Sequence, residues 1–369
     1  MHVQPSSQPA GLPFSPSIAA GGLIYVSGTL AGEGQSPLPD GIAAQTRATL
    51  ERVNAVLGGA GVTLRDAVSV TVYLKRAEDF AAMNDVYRTF VGESPAVRTT
   101  VVADLMRPDA LIEISAIAAA PGTSRRIVHP SGWLRSPNPY SYAVEAGDTV
   151  FLSGLVARNA VDNSLVPGDM AAQAKTVLEN ARALLAAAGL GFEHVVSARV
   201  FVTDIAQFDA MNAVYRTYFP KDPPARATVG AKLMQPSYAV EMTFVASRAP
   251  KRVIAGDGPA NPNLSPAILA GSRLYLSGML GVTPETTGDA AAQTRETLRR
   301  LQATMARAGF APADVVDSLV YLTRPSDFGA MNGAYREFLS PPFPTRATVQ
   351  AALAAPGGLV EIMMTAVRR

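Results

Sequence analysis

The chain of 369 residues contains no cysteine, which excludes a disulfide, a thiolate nucleophile, Cys-ligated zinc and an iron–sulfur cluster. Histidine is scarce as well, because only His2, His129 and His194 occur, in unrelated contexts. A zinc enzyme or a Ser-His-Asp hydrolase is therefore not favoured.

Charge of one sign is not in excess either. The formal net charge is +2, and Lys and Arg are scattered without a run long enough to follow a phosphate backbone. No stretch of about 18 uncharged apolar residues occurs, and the start, MHVQPSSQPAGLPFSPS, lacks the basic and then apolar order of a secretory signal. We therefore expect a cytoplasmic protein with no nucleic-acid or membrane partner.

The chain does contain an internal repeat with a spacing of 120 to 128 residues. QTRATL at 45–50 returns as QAKTVL at 173–178 and QTRETL at 293–298. MNDVYR at 83–88 returns at 211–216 and 331–336, and RTTV at 98–101 returns at 226–229 and 346–349. This pattern predicts three domains, at residues 1–122, 123–248 and 249–369, joined through PGTSRR near 121–126 and APKR near 249–252.

One repeat suffices to predict the elements. Leu23–Ser27 has the pattern of a strand that ends at a glycine, and Leu50, Val53 and Leu57 have helical spacing. Residues 68–74 alternate as a strand, Phe80 to Phe90 form a second amphipathic helix, and 98–103 and 111–118 are two further strands. The order β-β-α-β-α-β-β predicts an α+β domain whose two helices cover one sheet face.

The opposite sheet face of each domain also carries apolar side chains, which must be buried against another surface. Three covalently joined copies meet at high effective concentration. The sequence therefore predicts a monomeric pseudo-trimer within one chain, with the sheets around a central barrel and the helices outside.

Arginine and glutamate recur 15 residues apart in all three copies, at Arg98 and Glu113, Arg226 and Glu241, and Arg346 and Glu361. If a turn is centred between them, the two side chains of one copy lie nearly opposite on neighbouring strands. One interpretation is a cross-strand ion pair. The other is an anion site, because a guanidinium matches a carboxylate in a bidentate way and a nearby glutamate can hold or deprotonate water.

Two further repeated positions have two possible explanations each. Asn84, Asn212 and Asn332 lie in the middle of a helix, either as buried amides bonded to a neighbouring loop or as ligand contacts. Gly28, Gly154 and Gly278 end a strand, which favours a turn with positive φ over a catalytic backbone amide. Met83, Tyr87 and their copies are predicted to be core residues.

Five phrases, SGTL, the Gln45 helix, FxxMNxxY, PAVRTTV and LIEISAIAA, resemble the Rid/YjgF family of reactive-intermediate deaminases across essentially the whole chain. The resemblance implies a chorismate-mutase-like α+β fold in each domain and a ligand cleft at each boundary between subunits. It also implies hydrolysis of enamines or imines of 2-amino acids to 2-keto acids and ammonia, with no cofactor. By similarity, Arg98, Arg226 and Arg346 would hold the carboxylate of a small substrate, and Glu113, Glu241 and Glu361 would position the attacking water.

The chain also departs from the family. The family tyrosine that reaches into the cleft is present as Tyr140, but Phe14 and Leu264 stand at its place in the first and third copies. Where many members have a cysteine two residues after the arginine, this chain has Thr100, Thr228 and Thr348. We therefore expect three clefts that are not equivalent, some of which take larger or more apolar ligands or serve only as structure.

Two alternatives to a deaminase of small imino acids remain. One is a pathway enzyme acting on a larger ring-derived enamine or enol, and the other is a binding or chaperone-like module without turnover. A ribonuclease role is not favoured, because the charge is near neutral and no basic aromatic surface motif occurs.

Overall fold

A computed structural model describes residues 11–368. The outer ends of the first and third predicted domains, with His2, lie outside the described residues. Three units of the same order follow one another, and each has a sheet of its own. The first consists of β1 (Ser17–Ala20), β2 (Leu23–Thr29), α1 (Gly41–Gly58), β3 (Ala67–Leu74), α2 (Phe80–Val91), β4 (Val97–Val102) and β5 (Ile112–Ala119).

The second and third units repeat this order after one added strand each. The second consists of β6 (Arg125–Val128), β7 (Ala143–Ala146), β8 (Thr149–Leu152), α3 (Met170–Ala187), β9 (Val195–Val202), α4 (Phe208–Tyr218), β10 (Ala225–Gly230) and β11 (Val240–Ser247). The third consists of β12 (Lys251–Ile254), β13 (Ala267–Ala270), β14 (Arg273–Leu280), α5 (Ala290–Arg307), β15 (Val315–Leu322), α6 (Phe328–Phe338), β16 (Thr345–Gln350), β17 (Ala352–Leu353) and β18 (Val360–Val367). The predicted α+β class and element order are confirmed. The predicted linkers already contain the starts of β6 and β12.

The long helix of each unit follows from apolar spacing and, in two units, from a cap. Leu50, Val53 and Leu57 all lie buried on the face of α1 that packs on the sheet. The side chains of Asp169 and Asp289 accept hydrogen bonds from the backbone N–H groups of Ala172 and Ala292, at 2.8 and 3.0 Å, and so begin α3 and α5.

The strand order is the feature that positions the site. In the first unit it is β1-β2-β5-β3-β4, and β3 and β4 are parallel while the other neighbours are antiparallel. The same core order recurs in the other units, with β9 and β15 in the place of β3. The strand that carries the repeated arginine therefore lies on one side of β3, and the strand that carries the repeated glutamate lies on the other. The same holds for β9 and β15 in the other two units.

Both faces of the sheets are buried, although the alternation in 68–74 is that of a half-buried strand. Seven of the eight residues of β3 are buried. On the face away from the helices, one apolar cluster contains side chains from all three units, among them Tyr73, Phe201 and Tyr321. The second face of each sheet is therefore buried against side chains of the other two units.

Backbone contacts at the sheet edges connect the units in a cycle. Val102 of the first unit pairs with Lys232 of the second. The second unit's β10 pairs with β17 of the third, and Val349 of the third pairs with Leu105 of the first. Arg273 adds a buried link, since its guanidinium donates to the Asp148 carboxylate at 2.9 Å and to the carbonyl of Gly21.

Candidate functional site

The three repeated arginines occupy one structural position. Each is the second residue of the strand that runs parallel to β3, β9 or β15. Arg98 lies on β4, Arg226 on β10 and Arg346 on β16. All three side chains are buried, with only 2–3% of their surface exposed. The backbone N–H groups of Arg226 and Arg346 donate to the hydroxyls of Ser277 and Ser27, at 2.8 and 2.9 Å, in the adjoining unit. Each arginine therefore lies at a boundary between units.

The repeated glutamates are equally buried, but they do not face the arginine of their own unit. Arg98 pairs in register with Val70 of β3, whereas Glu113 pairs with Tyr73 on the other side of β3. The predicted placement on neighbouring strands is therefore wrong, and so is the cross-strand ion pair within a unit. Fifteen residues separate Arg98 and Glu113 along the chain, but in the sheet β3 lies between β4 and β5, the strands that carry them.

Each arginine instead faces the glutamate of the next unit. Glu241 raises the pKa of Arg98, Glu361 raises that of Arg226, and Glu113 raises that of Arg346 by charge interaction, in each case against a larger lowering by burial. We call the three places the first/second seam (Arg98 and Glu241), the second/third seam (Arg226 and Glu361) and the third/first seam (Arg346 and Glu113). The cycle closes because the third unit's arginine meets the first unit's glutamate.

The repeated glycines make room for the carboxyl groups. A β-carbon at Gly28, Gly154 or Gly278 would lie 1.8–2.0 Å from an oxygen of Glu113, Glu241 or Glu361. None of the three glycines has a positive φ. The predicted left-handed turn is therefore wrong, and what requires glycine is the close approach of the carboxyl group.

The repeated asparagines take two roles. Asn212 and Asn332 accept hydrogen bonds from Nη2 of Arg226 and Arg346, at 2.8 and 2.7 Å, and so hold the guanidinium groups. Asn84 instead donates to the side chain of Asn138 in a loop of the second unit, at 3.3 Å. The interpretation as a buried amide bonded to a neighbouring loop is correct for Asn84 alone.

Aromatic rings surround each guanidinium. Arg98 lies 5.6 Å from the ring centre of Phe80 and 4.9 Å from that of Tyr87, and the equivalent rings lie at 4.6–5.7 Å in the other seams. Tyr87, predicted to be core, is buried and also forms this wall. Phe80 and its copies were missed as site residues, because helical spacing alone does not distinguish a core ring from one that packs on a cation.

A third ring comes from the neighbouring unit in two of the seams. The guanidinium of Arg98 lies 5.5 Å from the ring centre of Tyr140, and that of Arg346 lies 5.3 Å from the ring centre of Phe14. Arg226 has no such third ring among the described residues, because Leu264 occupies the corresponding position. The seams are therefore chemically different, as the departures in sequence predict.

The repeated threonines follow the arginines on the same strands and are buried. Backbone hydrogen bonds from Thr100 and Thr348 reach Glu241 and Glu113 and favour their ionised forms. The hydroxyls of Thr228 and Thr348 have no hydrogen-bond partner within residues 11–368.

Several buried donors of the arginines also lack a partner. Within the described part of the chain, Nε and Nη1 of both Arg98 and Arg226 make no hydrogen bond, and none of the three repeated arginines forms an ion pair within 4.0 Å. A buried cation without a counter-ion is costly, and the aromatic rings compensate only in part. The arrangement favours an anion bound at the guanidinium.

Burial raises the pKa of Glu113, Glu241 and Glu361 to about 8, against an opposite effect of the facing arginine's charge. Burial also lowers the pKa of the Arg346 guanidinium to about 10, and it lowers the pKa of Arg98 and Arg226. Near neutral pH each seam therefore holds one cation and one uncharged carboxylic acid. Such a site attracts a carboxylate and can donate a proton to it or to a neighbouring atom.

No group of three or more His, Asp or Glu side chains within residues 11–368 is arranged to ligate a metal ion. No described helix has the length and apolarity needed to cross a membrane.

Comparisons with known proteins extend these observations. The family model described as Endoribonuclease L-PSP matches residues 5–120, 133–248 and 257–368. Among relatives, Protein DfrA of Myxococcus xanthus is 41% identical over 125 residues, which are 33% of this chain and 95% of the relative. A 2-iminobutanoate/2-iminopropanoate deaminase of Capra hircus is 36% identical over 126 residues, 34% of this chain and 92% of the relative. A solved chorismatase structure covers 82% of this chain and 93% of its own, with a TM-score of 0.52 and 18% identity, a likeness in fold alone.

Proposed function

Since the chain belongs to the Endoribonuclease L-PSP (Rid/YjgF) family as three consecutive copies, we propose that it hydrolyses imines or enamines of 2-amino acids at its seams. The observation that carries this proposal is the repeated pair of a buried arginine and an uncharged glutamic acid supplied by the next unit. The relatives named as imine deaminases support the same class of reaction.

The arginine would bind the substrate carboxylate. Its fork of donors matches the two carboxylate oxygens, and in two seams an asparagine accepts a hydrogen bond from the guanidinium. Binding fixes the neighbouring C=N carbon at one place in the seam and brings it close to the glutamic acid. Such positioning can lower the barrier of a reaction that also proceeds unaided in water.

The glutamic acid would move the protons. Because its pKa is about 8, it donates a proton to the imine nitrogen while a water oxygen bonds to the carbon and the C=N electron pair moves to nitrogen. The resulting carboxylate takes one proton from that water and gives it to nitrogen. It then takes the proton of the remaining hydroxyl as the C=O bond forms and the C–N bond breaks, so that ammonia leaves and the glutamic acid is restored. The sum is imine plus water to 2-keto acid plus ammonia, with the enzyme unchanged.

We also infer that the three units work as a pseudo-trimer within one monomeric chain. Each unit gives its arginine to one seam and its glutamate to another, so a single unit contains no complete pair. The apolar cluster shared by all three units supports a central arrangement of the sheets.

A coupled assay tests the activity. An amino-acid oxidase generates 2-iminopropanoate from alanine, and the release of pyruvate and ammonia is followed with and without the protein. We expect release to accelerate in proportion to the amount of protein. Release at the same rate as without the protein would reject the deaminase and favour a module that binds without turnover.

A further inference from the structure

The third/first seam opens into a cavity of about 680 Å³. Arg346, Glu113 and Thr348 all line it. Pockets for small organic ligands usually enclose roughly 300–1,000 Å³. An imino acid of three or four carbon atoms, held by its carboxylate at Arg346, would leave most of this space unfilled.

Apolar side chains make up one part of the cavity wall. They include Leu12, Phe14, Val56, Met106 and Phe328. A ring or a branched hydrocarbon group of the ligand would lose contact with water against these side chains.

Two of the three arginines that line the cavity are already paired. Arg52 forms an ion pair with Glu33. Arg107 donates to both oxygens of Asp109, at 2.8 and 3.0 Å, and to the backbone carbonyl of Gly34. Arg346 is therefore the cation of this cavity without an ion-pair partner among the described residues, which favours a ligand with one carboxylate over one with two.

Two positions of the first/second seam carry a phenol that the third/first seam lacks. Tyr140 stands where Phe14 stands, and Tyr238 stands where the third/first seam has Ala110. The phenol of Tyr238 lies near enough to Tyr140 and Glu241 for both to raise its pKa, and it accepts a hydrogen bond from Nε of Arg158 at 2.5 Å. Two phenols thus stand where the third/first seam has Phe14 and Ala110.

Resting on the proposed deaminase function, we propose that the seams divide their substrates. The third/first seam takes 2-imino acids with a bulky, apolar, ring-bearing side chain, and the first/second seam takes small or polar ones. The division follows from the cavity at Arg346 and from the exchange of Tyr140 for Phe14 between the two seams.

Variants with one arginine left test the division. Arg98→Met with Arg226→Met leaves the third/first seam, and Arg226→Met with Arg346→Met leaves the first/second seam. Each is assayed with imines that an oxidase makes from alanine and from phenylalanine. We expect the ratio of kcat/KM for the phenylalanine imine to that for the alanine imine to be at least tenfold higher when Arg346 is the arginine retained.

A second pair of variants fills the space without touching the arginines. Ala55 lines the cavity from α1 and is exposed, so Ala55→Trp should fold. Ala183 is its counterpart on α3, and Ala183→Trp is the matched control. We expect Ala55→Trp to lower turnover of the phenylalanine imine at least tenfold and Ala183→Trp to change it less than twofold.

The outcomes separate this inference from the proposed function. If the Arg346 variant hydrolyses the alanine imine but shows no preference for the phenylalanine imine, or if both tryptophan variants act alike, the division of substrates is wrong and the deaminase stands. If the unaltered protein hydrolyses neither imine, both proposals fail.

Discussion

Replacing Arg98, Arg226 and Arg346 together by methionine should lower kcat/KM for 2-iminopropanoate by roughly 10³-fold. Each charge-assisted hydrogen bond to a carboxylate contributes about 1.5–3 kcal/mol, and the loss of positioning adds to this. Methionine keeps much of the side-chain length and apolar contact with the surrounding rings. Initial rates of ammonia release, measured over a range of imine concentrations, give the value.

The fold should survive this change. The arginines are buried, and several of their donors have no partner among the described residues. Replacing such groups by apolar ones of similar volume is often neutral or stabilising. The amide oxygens of Asn212 and Asn332 each lose a donor, so urea unfolding of the triple variant should show a free energy of unfolding lower by no more than a few kcal/mol, at about 1–3 kcal/mol for each oxygen.

A matched control is available in the same repeat. Arg88, Arg216 and Arg336 are exposed and occupy one position of the three units. Their triple replacement by methionine removes the same charge and should leave kcat/KM within about twofold. Full activity in the variant without the buried arginines would show that they do not hold the carboxylate.

Replacing Glu113, Glu241 and Glu361 together by glutamine should lower kcat by roughly 10²-fold or more, because glutamine keeps the shape but transfers no proton. In the unaltered protein, kcat/KM should be level below pH 8 and decline above it, since the proton donor has a pKa of about 8. The decline should be absent from the residual activity of the variant. A rate that instead rises through pH 8 would assign the ionised carboxylate, and not the acid, to the first step.

The same variant has a second readout in stability. The pKa of each glutamate rises from 4.5 to about 8 on folding, so between these values the folded protein holds protons that the unfolded chain releases. The stability that these protons contribute is fully present below pH 4.5 and is lost as pH rises to about 8. The glutamine variant lacks this loss, so its Tm should exceed that of the unaltered protein by more at pH 8.5 than at pH 5. An equal difference at both pH values would contradict the shift.

Much of one unit could be predicted from the sequence, because local periodicity determines it. The spacing of Leu50, Val53 and Leu57 is sufficient for α1, and the valines of 68–74 are sufficient for β3. Repetition in register then extends the prediction to all three units. The class of fold and the family are confirmed in this way.

The geometry of the seams could not be predicted, because it depends on contacts between units. Arg98 and Glu113 recur at a fixed spacing, but β3 inserts between their strands and each finds its partner in a different unit. Gly28 shows the same limit, since it lies at the end of a strand-like run and yet is required by a carboxyl group of Glu113 that packs against it. The spacing of residues along the sequence indicates which side chains share a face of one strand or helix. It does not indicate which units contact each other.

The most direct test is a crystal structure of the protein with bound 2-oxobutanoate, a 2-keto acid product of the proposed reaction. Its carboxylate should lie about 3 Å from the guanidinium nitrogens of Arg98, with the keto carbon beside the carboxyl group of Glu241 in the neighbouring unit. A ligand bound outside every seam, with the three guanidinium groups still contacting only aromatic rings and asparagine, would contradict the assignment of the seams as the place of catalysis.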